Sequence, residues 1–196
     1  LAPLTTPQNT TSAAATTSPA ASPVSQEMPS RGSWEGNVYK NEYMKLTFAC
    51  PDDWTIKSDA DIAQIVGISA QALSDSGLEF SQEMLDQQVI YDMMCIKNAT
   101  GTNMLVMVEN LSLVNAKLYL ELTQAQLNKA NLIAYEYGDI YEETVAGQKY
   151  TVMEANAPDA NMKQYYFIRK QGNYMLGFIV TVMSEDTIES VIENIS

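Results

Sequence analysis

The 196-residue sequence contains no histidine. That absence excludes Ser-His-Asp and Cys-His catalysis and every zinc site that depends on imidazole. Cysteine is nearly as scarce: Cys50 and Cys95 allow one disulfide at most and are too few for a Cys-rich metal centre. Cys50 alternates with Met44, Leu46 and Phe48, and Cys95 with Tyr91 and Met93, so both read as small buried hydrophobes. The nine glycines are scattered, without a GxGxxG or GxxxxGK[ST] arrangement, and nucleotide binding through a phosphate-cradling loop is unsupported. Bases are few, 11 Lys and Arg against 24 Asp and Glu, for a net charge of −13. A field of that sign opposes nucleic acid and acidic lipid as partners. Long apolar runs are missing too: the longest candidate, YMLGFIVTVM, has ten residues. A helical membrane span needs about 20.

What is present divides the chain in two. Residues 1–32 hold five of the seven prolines and only two charged residues, Glu27 and Arg31, among Thr, Ser, Ala and Gln. Such a segment cannot bury enough apolar surface to offset its ordering entropy. It reads as a disordered linker or stalk, about 30 Å long as a coil and about 100 Å when drawn out. Residues 33–196 have the size of one domain, able to bury roughly 70% of the unfolded surface. A Thr/Ser/Pro-rich leader before a compact acidic domain fits an exported bacterial protein whose signal segment has been removed. A chain starting at an arbitrary point of a disordered region would read the same.

Period-two alternation predicts strands over 34–40, 44–50 and 54–57. Ser58 fits an N-cap with Asp59 and Asp61 in the first turn of a helix whose apolar face is Ile62, Ile65, Val66 and Leu73. A second short helix starts near Leu78, with Phe80, Met84 and Leu85. Strands over 90–96 and 104–111 flank a hairpin loop, NATGT, and a helix follows over 116–130 although YLEL alternates like a strand. Three more strands cover 141–145, 149–155 and 164–170, and Gln171, Gly172 and Asn173 turn the chain into a long one over 174–183. Ser184 then caps a last helix, with Glu185 and Asp186 in its first turn and Ile188, Val191, Ile192 and Ile195 on its apolar face. Short turns argue for a mainly antiparallel sheet, and strands apolar on both sides need cover on both. The expected architecture is a three-layer α/β/α sandwich.

No residue pattern specifies catalysis, a cofactor or a metal. Asp52 and Asp53 follow Pro51 and precede Trp54 and Ile56, which return toward the core, so the pair reads as a turn rather than an acid/base couple. Calcium is a milder possibility at Asp52/Asp53 with Asp59/Asp61 and at Glu142/Glu143, but the spacing is not that of an EF-hand loop and a solvated acidic face explains it. Methionines such as Met93, Met94, Met104 and Met107 alternate as core filling. Tyr165 and Tyr166 are the weak candidates for partner binding, since alternation sends them to opposite sheet faces near Arg169 and Lys170. A tyrosine covered by a helix with its hydroxyl at the rim accounts for them as well. N-x-[ST] triplets begin at Asn9, Asn98, Asn110 and Asn194, weak signals in so Asn- and Thr-rich a chain.

The segment KLTFACPDDWTI completes the pattern Tyr43, Leu46, Phe48, Pro51, Trp54, a strand, a proline turn and a returning aromatic. It resembles the opening of PsbP-like α/β/α domains, found in a photosystem extrinsic protein, a nuclear import factor that binds Ran and many bacterial lipoproteins and secreted proteins. The resemblance covers residues 33–196 through its order of elements. It implies a non-enzymatic scaffold without a cofactor that binds a protein or cell-envelope component. With the stalk, it also implies tethering to the outer face of a bacterial membrane through a lipidated Cys upstream of Leu1. The alternative is a small-ligand or calcium-dependent extracytoplasmic binding protein.

Overall fold

The computed structural model describes residues 28–66, 89–130 and 132–196. Residues 1–27, Leu73 of the first predicted helix and the whole second helix near Leu78 lie outside them, as do the side chains of Ile65 and Val66. Two antiparallel sheets account for the strands. The small one is β1 (Ser33–Glu35), β2 (Val38–Asn41) and β3 (Leu46–Ala49), in that order. The large one contains β4 (Trp54–Ile56), β5 (Ile90–Lys97), β6 (Asn103–Asn110), β7 (Glu136–Tyr137), β8 (Tyr141–Val145), β9 (Gln148–Ala157), β10 (Met162–Gln171) and β11 (Tyr174–Met183). Its order is β4-β5-β6-β11-β10-β9-β7, and β8 shares the outer edge of β9 with β7. Three α-helices are described, α1 (Asp59–Val66), α2 (Ala116–Ala130) and the single turn α3 (Glu189–Ile192), with a 3-10 turn at Pro158–Ala160.

Local chemistry explains most of these elements. Ser58 and Asp61 cap α1 reciprocally: the Asp61 amide donates to Ser58 Oγ at 3.2 Å and the Ser58 amide to Asp61 Oδ2 at 3.1 Å. Asn115 caps α2 with a single bond, its Oδ1 accepting from the Leu118 amide at 2.8 Å. Asp52 and Asp53 are exposed in a turn closed by the Trp54 amide on the Pro51 carbonyl at 3.0 Å. Trp54 is half-buried against Phe48, with ring centroids 6.1 Å apart, while Ile56 is 38% exposed and stays out of the core. Strand β11 is buried on both faces between β6 and β10. Gly177 permits this spacing, because a Cβ there would lie 2.3 Å from the Phe167 carbonyl oxygen.

The large sheet is covered differently on its two faces. On one, Phe167, Phe178, Tyr150 and Val180 pack with Tyr39, Leu46 and Phe48 of the small sheet, with Ile62 of α1 and with Val191 and Ile195. Phe167 and Phe178 stack at 4.6 Å. On the other, Met107, Met153, Tyr166, Ile168 and Met175 pack beneath Leu120 of α2. Among the described residues the fold is therefore sheet-rich and mainly antiparallel, with few helices. On the first face α1 shares the cover with a second sheet, because β1 to β3 pair with one another and bury their own apolar face.

The C-terminal helix is corrected. Ser184 does not cap it: the residue has φ 57°, and the helix begins at Glu189. Asp186 instead accepts hydrogen bonds from Lys97 Nζ at 2.6 Å, Thr102 Oγ1 at 2.6 Å and the Thr100 hydroxyl. After one turn the chain extends, with Thr47 and Ser196 exchanging backbone hydrogen bonds at 2.8 and 2.9 Å beside β3. An open strand edge thus competes successfully with the apolar helical spacing.

A candidate binding groove beside helix α2

Tyr166 and Tyr165 lie on opposite faces of β10, as alternation requires. Tyr166 is 7% exposed on the α2 side and donates to Gln164 Oε1 at 2.9 Å, an oxygen that also accepts from Tyr135 at 3.2 Å. Tyr165 is half-buried on the other face, with Lys163 Nζ 6.0 Å from its ring centre. The two bases suggested as neighbours are engaged elsewhere. Arg169 donates to the Met44 carbonyl at 2.8 Å, and Lys170 to the carbonyls of Ser112 and Val114 at 2.5 and 2.6 Å.

Tyr166 forms part of a groove of about 660 Å³ between α2 and strands β5, β6 and β11. The sheet contributes Tyr91, Met107, Glu109 and Ile179, and the helix contributes Tyr119, Leu122, Thr123 and Gln126. Glu109 is the one charged residue among the described lining. Burial pushes its carboxyl above the ordinary value, opposed by a hydrogen bond from Tyr119. Burial, reinforced by the Glu109 charge, holds the Tyr119 hydroxyl protonated well beyond its usual range. Of the lining residues Leu122 is 48% exposed; outside the lining, Leu118 is 42% exposed one turn before it on α2 and Leu113 is 95% exposed ahead of the helix.

No family model matches the chain, and no curated protein matches it. The chain is similar in fold to cyanobacterial PsbP. That solution structure, of CyanoP from Synechocystis sp. PCC 6803, has a TM-score of 0.48 and 10% identity, over 90% of this chain and 97% of that one.

A second polar cluster went unread in the sequence. A register shift between Tyr91 and Met93 sends Tyr91 toward the groove while Asp92 reaches the small sheet. The Asp92 side chain is fully enclosed and accepts from Arg31 Nε at 2.9 Å, the Gly32 amide at 2.7 Å, Asn41 Nδ2 at 3.1 Å and the Tyr39 hydroxyl. The Arg31 fork also meets both oxygens of Asp59, at 2.8 and 3.0 Å. Burial alone would lower the Arg31 pKa, but the hydrogen bonds and charges of Asp59 and Asp92 outweigh it and raise it. Residues 31 and 32, assigned to the linker, are therefore fastened to the domain. One signal for this lay in the sequence: an acid inside the apolar run IYDMMCI needs a cation, and the chain has two arginines.

The acids considered for calcium are dispersed. Asp59 is held by Arg31, Asp61 by Ser58, and Glu142 by Lys149 at 2.7 Å. Among the described residues no group of three or more His, Cys, Asp or Glu side chains is placed to hold a metal ion. Nor is any described helix long and apolar enough to cross a membrane.

Proposed function

We propose that this chain is a non-enzymatic binding domain, exported and tethered to the outer face of a bacterial membrane, that docks a protein or other envelope component through the groove beside α2. The observation that carries the reading is the groove itself: among the described residues, three tyrosines and apolar walls around one half-buried carboxylate, with half-exposed Leu122 on its helical side. Aromatic and apolar anchors beside a recess are the usual centre of a binding surface. The Ser/Thr/Pro-rich composition of residues 1–32 supports the stalk, and through it a lipid anchor upstream of Leu1. The second reading, a small-ligand binding protein, draws on the same recess, since its volume falls within the roughly 300–1,000 Å³ typical of such sites.

The test is a quantitative capture from the native cell envelope with the full-length chain, comparing wild type with Leu122→Glu. Leu122 is half exposed, so the variant keeps its fold, which matching thermal unfolding curves verify. A partner taken by wild type and lost about tenfold by the variant supports the groove, that factor being about 1.4 kcal/mol of binding. Equal capture by both refutes it, and capture by neither moves the proposal to small ligands.

A further inference from the structure

The carboxylate of the groove has no counter-cation in its own chain. All 11 Lys and Arg residues are among the described ones, and none of the ion pairs they make is to Glu109. Lys170 stands in the same cross-strand row, opposite Met175, which is opposite Glu109, but its ammonium is engaged by the Ser112 and Val114 carbonyls. Nor do the groove's tyrosines hold a base of this chain. The cation–ring contacts among the described residues are Lys163 with Tyr165 and Arg169 with Tyr150, on the opposite face of the sheet.

Three elements bring those tyrosines to one recess. Tyr91 of β5 is directly opposite Met107, which precedes Glu109 by two residues on the same face of β6. Tyr119 reaches from α2 to the same methionine, its hydroxyl 3.8 Å from the sulfur. Tyr166 enters from β10, opposite Ile179. Along the helix Tyr119, Leu122, Thr123 and Gln126 recur at helical spacing and form the facing wall. A carboxylate withdrawn from water calls for an opposite charge, and tyrosine rings attract cations over their faces.

We propose that the groove receives a basic side chain of the partner protein, lysine or arginine, with its apolar stem along Met107, Ile179 and Leu122 and its charge at Glu109; this rests on the protein-docking reading above. The pairing completes a site whose cation the chain does not supply. Burial pushes the Glu109 carboxyl up while it stands alone, and an arriving cation opposes that shift. The net charge of −13 adds a long-range pull on a basic partner. That pull does not select the groove, and a substitution at Glu109 separates the two effects.

The full-length chain is titrated with n-butylammonium and n-propylguanidinium, the ends of lysine and arginine, and with butanol as the neutral match, following the ring signals of Tyr91, Tyr119 and Tyr166 by NMR. Wild type should bind at least one cation about tenfold tighter than butanol, and Glu109→Gln should lose that preference. Glu121→Gln removes the same charge from the exposed side of α2, outside the groove, and should keep it. Equal binding of butanol, no binding of either cation, or equal loss in the two variants overturns the proposal; the wild-type comparison stands without any variant. The variants are then carried through the envelope capture beside Leu122→Glu. Capture lost with both Glu109→Gln and Leu122→Glu, and kept with Glu121→Gln, supports the basic side chain. Capture lost with Leu122→Glu alone overturns it and leaves the groove standing, whereas capture lost with neither overturns both readings. Cation binding with no captured protein at all assigns the charge to a small molecule and overturns the protein source.

Discussion

Replacing Arg31 with alanine should destabilise the domain far more than its place at the end of a stalk suggests. The change leaves Asp92 enclosed without its cation, and breaking a buried pair on one side costs about 3–5 kcal/mol. Asp92 keeps the Gly32 amide, Asn41 and the Tyr39 hydroxyl as donors, which places the loss near the lower end, about 3 kcal/mol. The Asp59 pair, with Asp59 about a third exposed, adds less than about 1 kcal/mol. At about 2–4 °C per kcal/mol for a domain of this size, the Tm should fall by about 6–12 °C. Thermal and urea unfolding followed by circular dichroism give the number. Arg31→Ala combined with Asp92→Asn should recover part of the loss, because the amide carries no charge to strand. A chain starting at Ser33 should lose as much as Arg31→Ala. A shift below about 2 °C in the single variant would mean that Asp92 is solvated and the clamp does not exist.

Three further outcomes follow from the packing and the charges. Gly177→Ala sets a methyl group against the Phe167 carbonyl and should cost about 1–3 kcal/mol, read as a lower urea midpoint with an unchanged slope; wild-type stability would show that β10 and β11 are spaced otherwise. Asp186 is held down to about 2 by Lys97, Thr100 and Thr102. Its folded pKa lies below the ordinary value of 3.8, so its contribution is complete above about pH 4 and is lost as pH falls toward 2. The Tm difference between wild type and Asp186→Asn should be constant near neutral pH and close over that acid window; a difference independent of pH would refute the pairing. Millimolar calcium followed by EDTA should leave the Tm unchanged, whereas a reversible rise would revive the calcium-dependent reading.

Strands were legible where the determinant is local. Alternation located β5, β6, β8, β9, β10 and β11, and Ser58 marked the start of α1. What the sequence did not disclose depends on distant chain. Residues 34–49 show the same alternation whether they join the large sheet or pair among themselves, and only the second arrangement puts a sheet beneath Phe167 and Phe178. Ile188 to Ile195 carry a helical spacing, yet the backbone of Thr47 and Ala49 offers partners that the spacing cannot register. The groove was half legible. Tyr166 stood out in an aromatic run, whereas Tyr91, Glu109 and Tyr119 come from three elements and meet only in the folded chain.

The short strands at the two margins of the large sheet bear on how many copies can share a surface. One margin ends in β4, with three residues, and the other in β7 and β8, with two and five. Long, flat margins recruit neighbouring chains by continuing the backbone ladder, and short or charged ones do not. Here β8 adds Glu142 and Glu143 to a molecule of net charge −13, so a second copy meets like charge before it finds unpaired amides. The margins of the described sheet thus give little purchase for edge-to-edge pairing between copies.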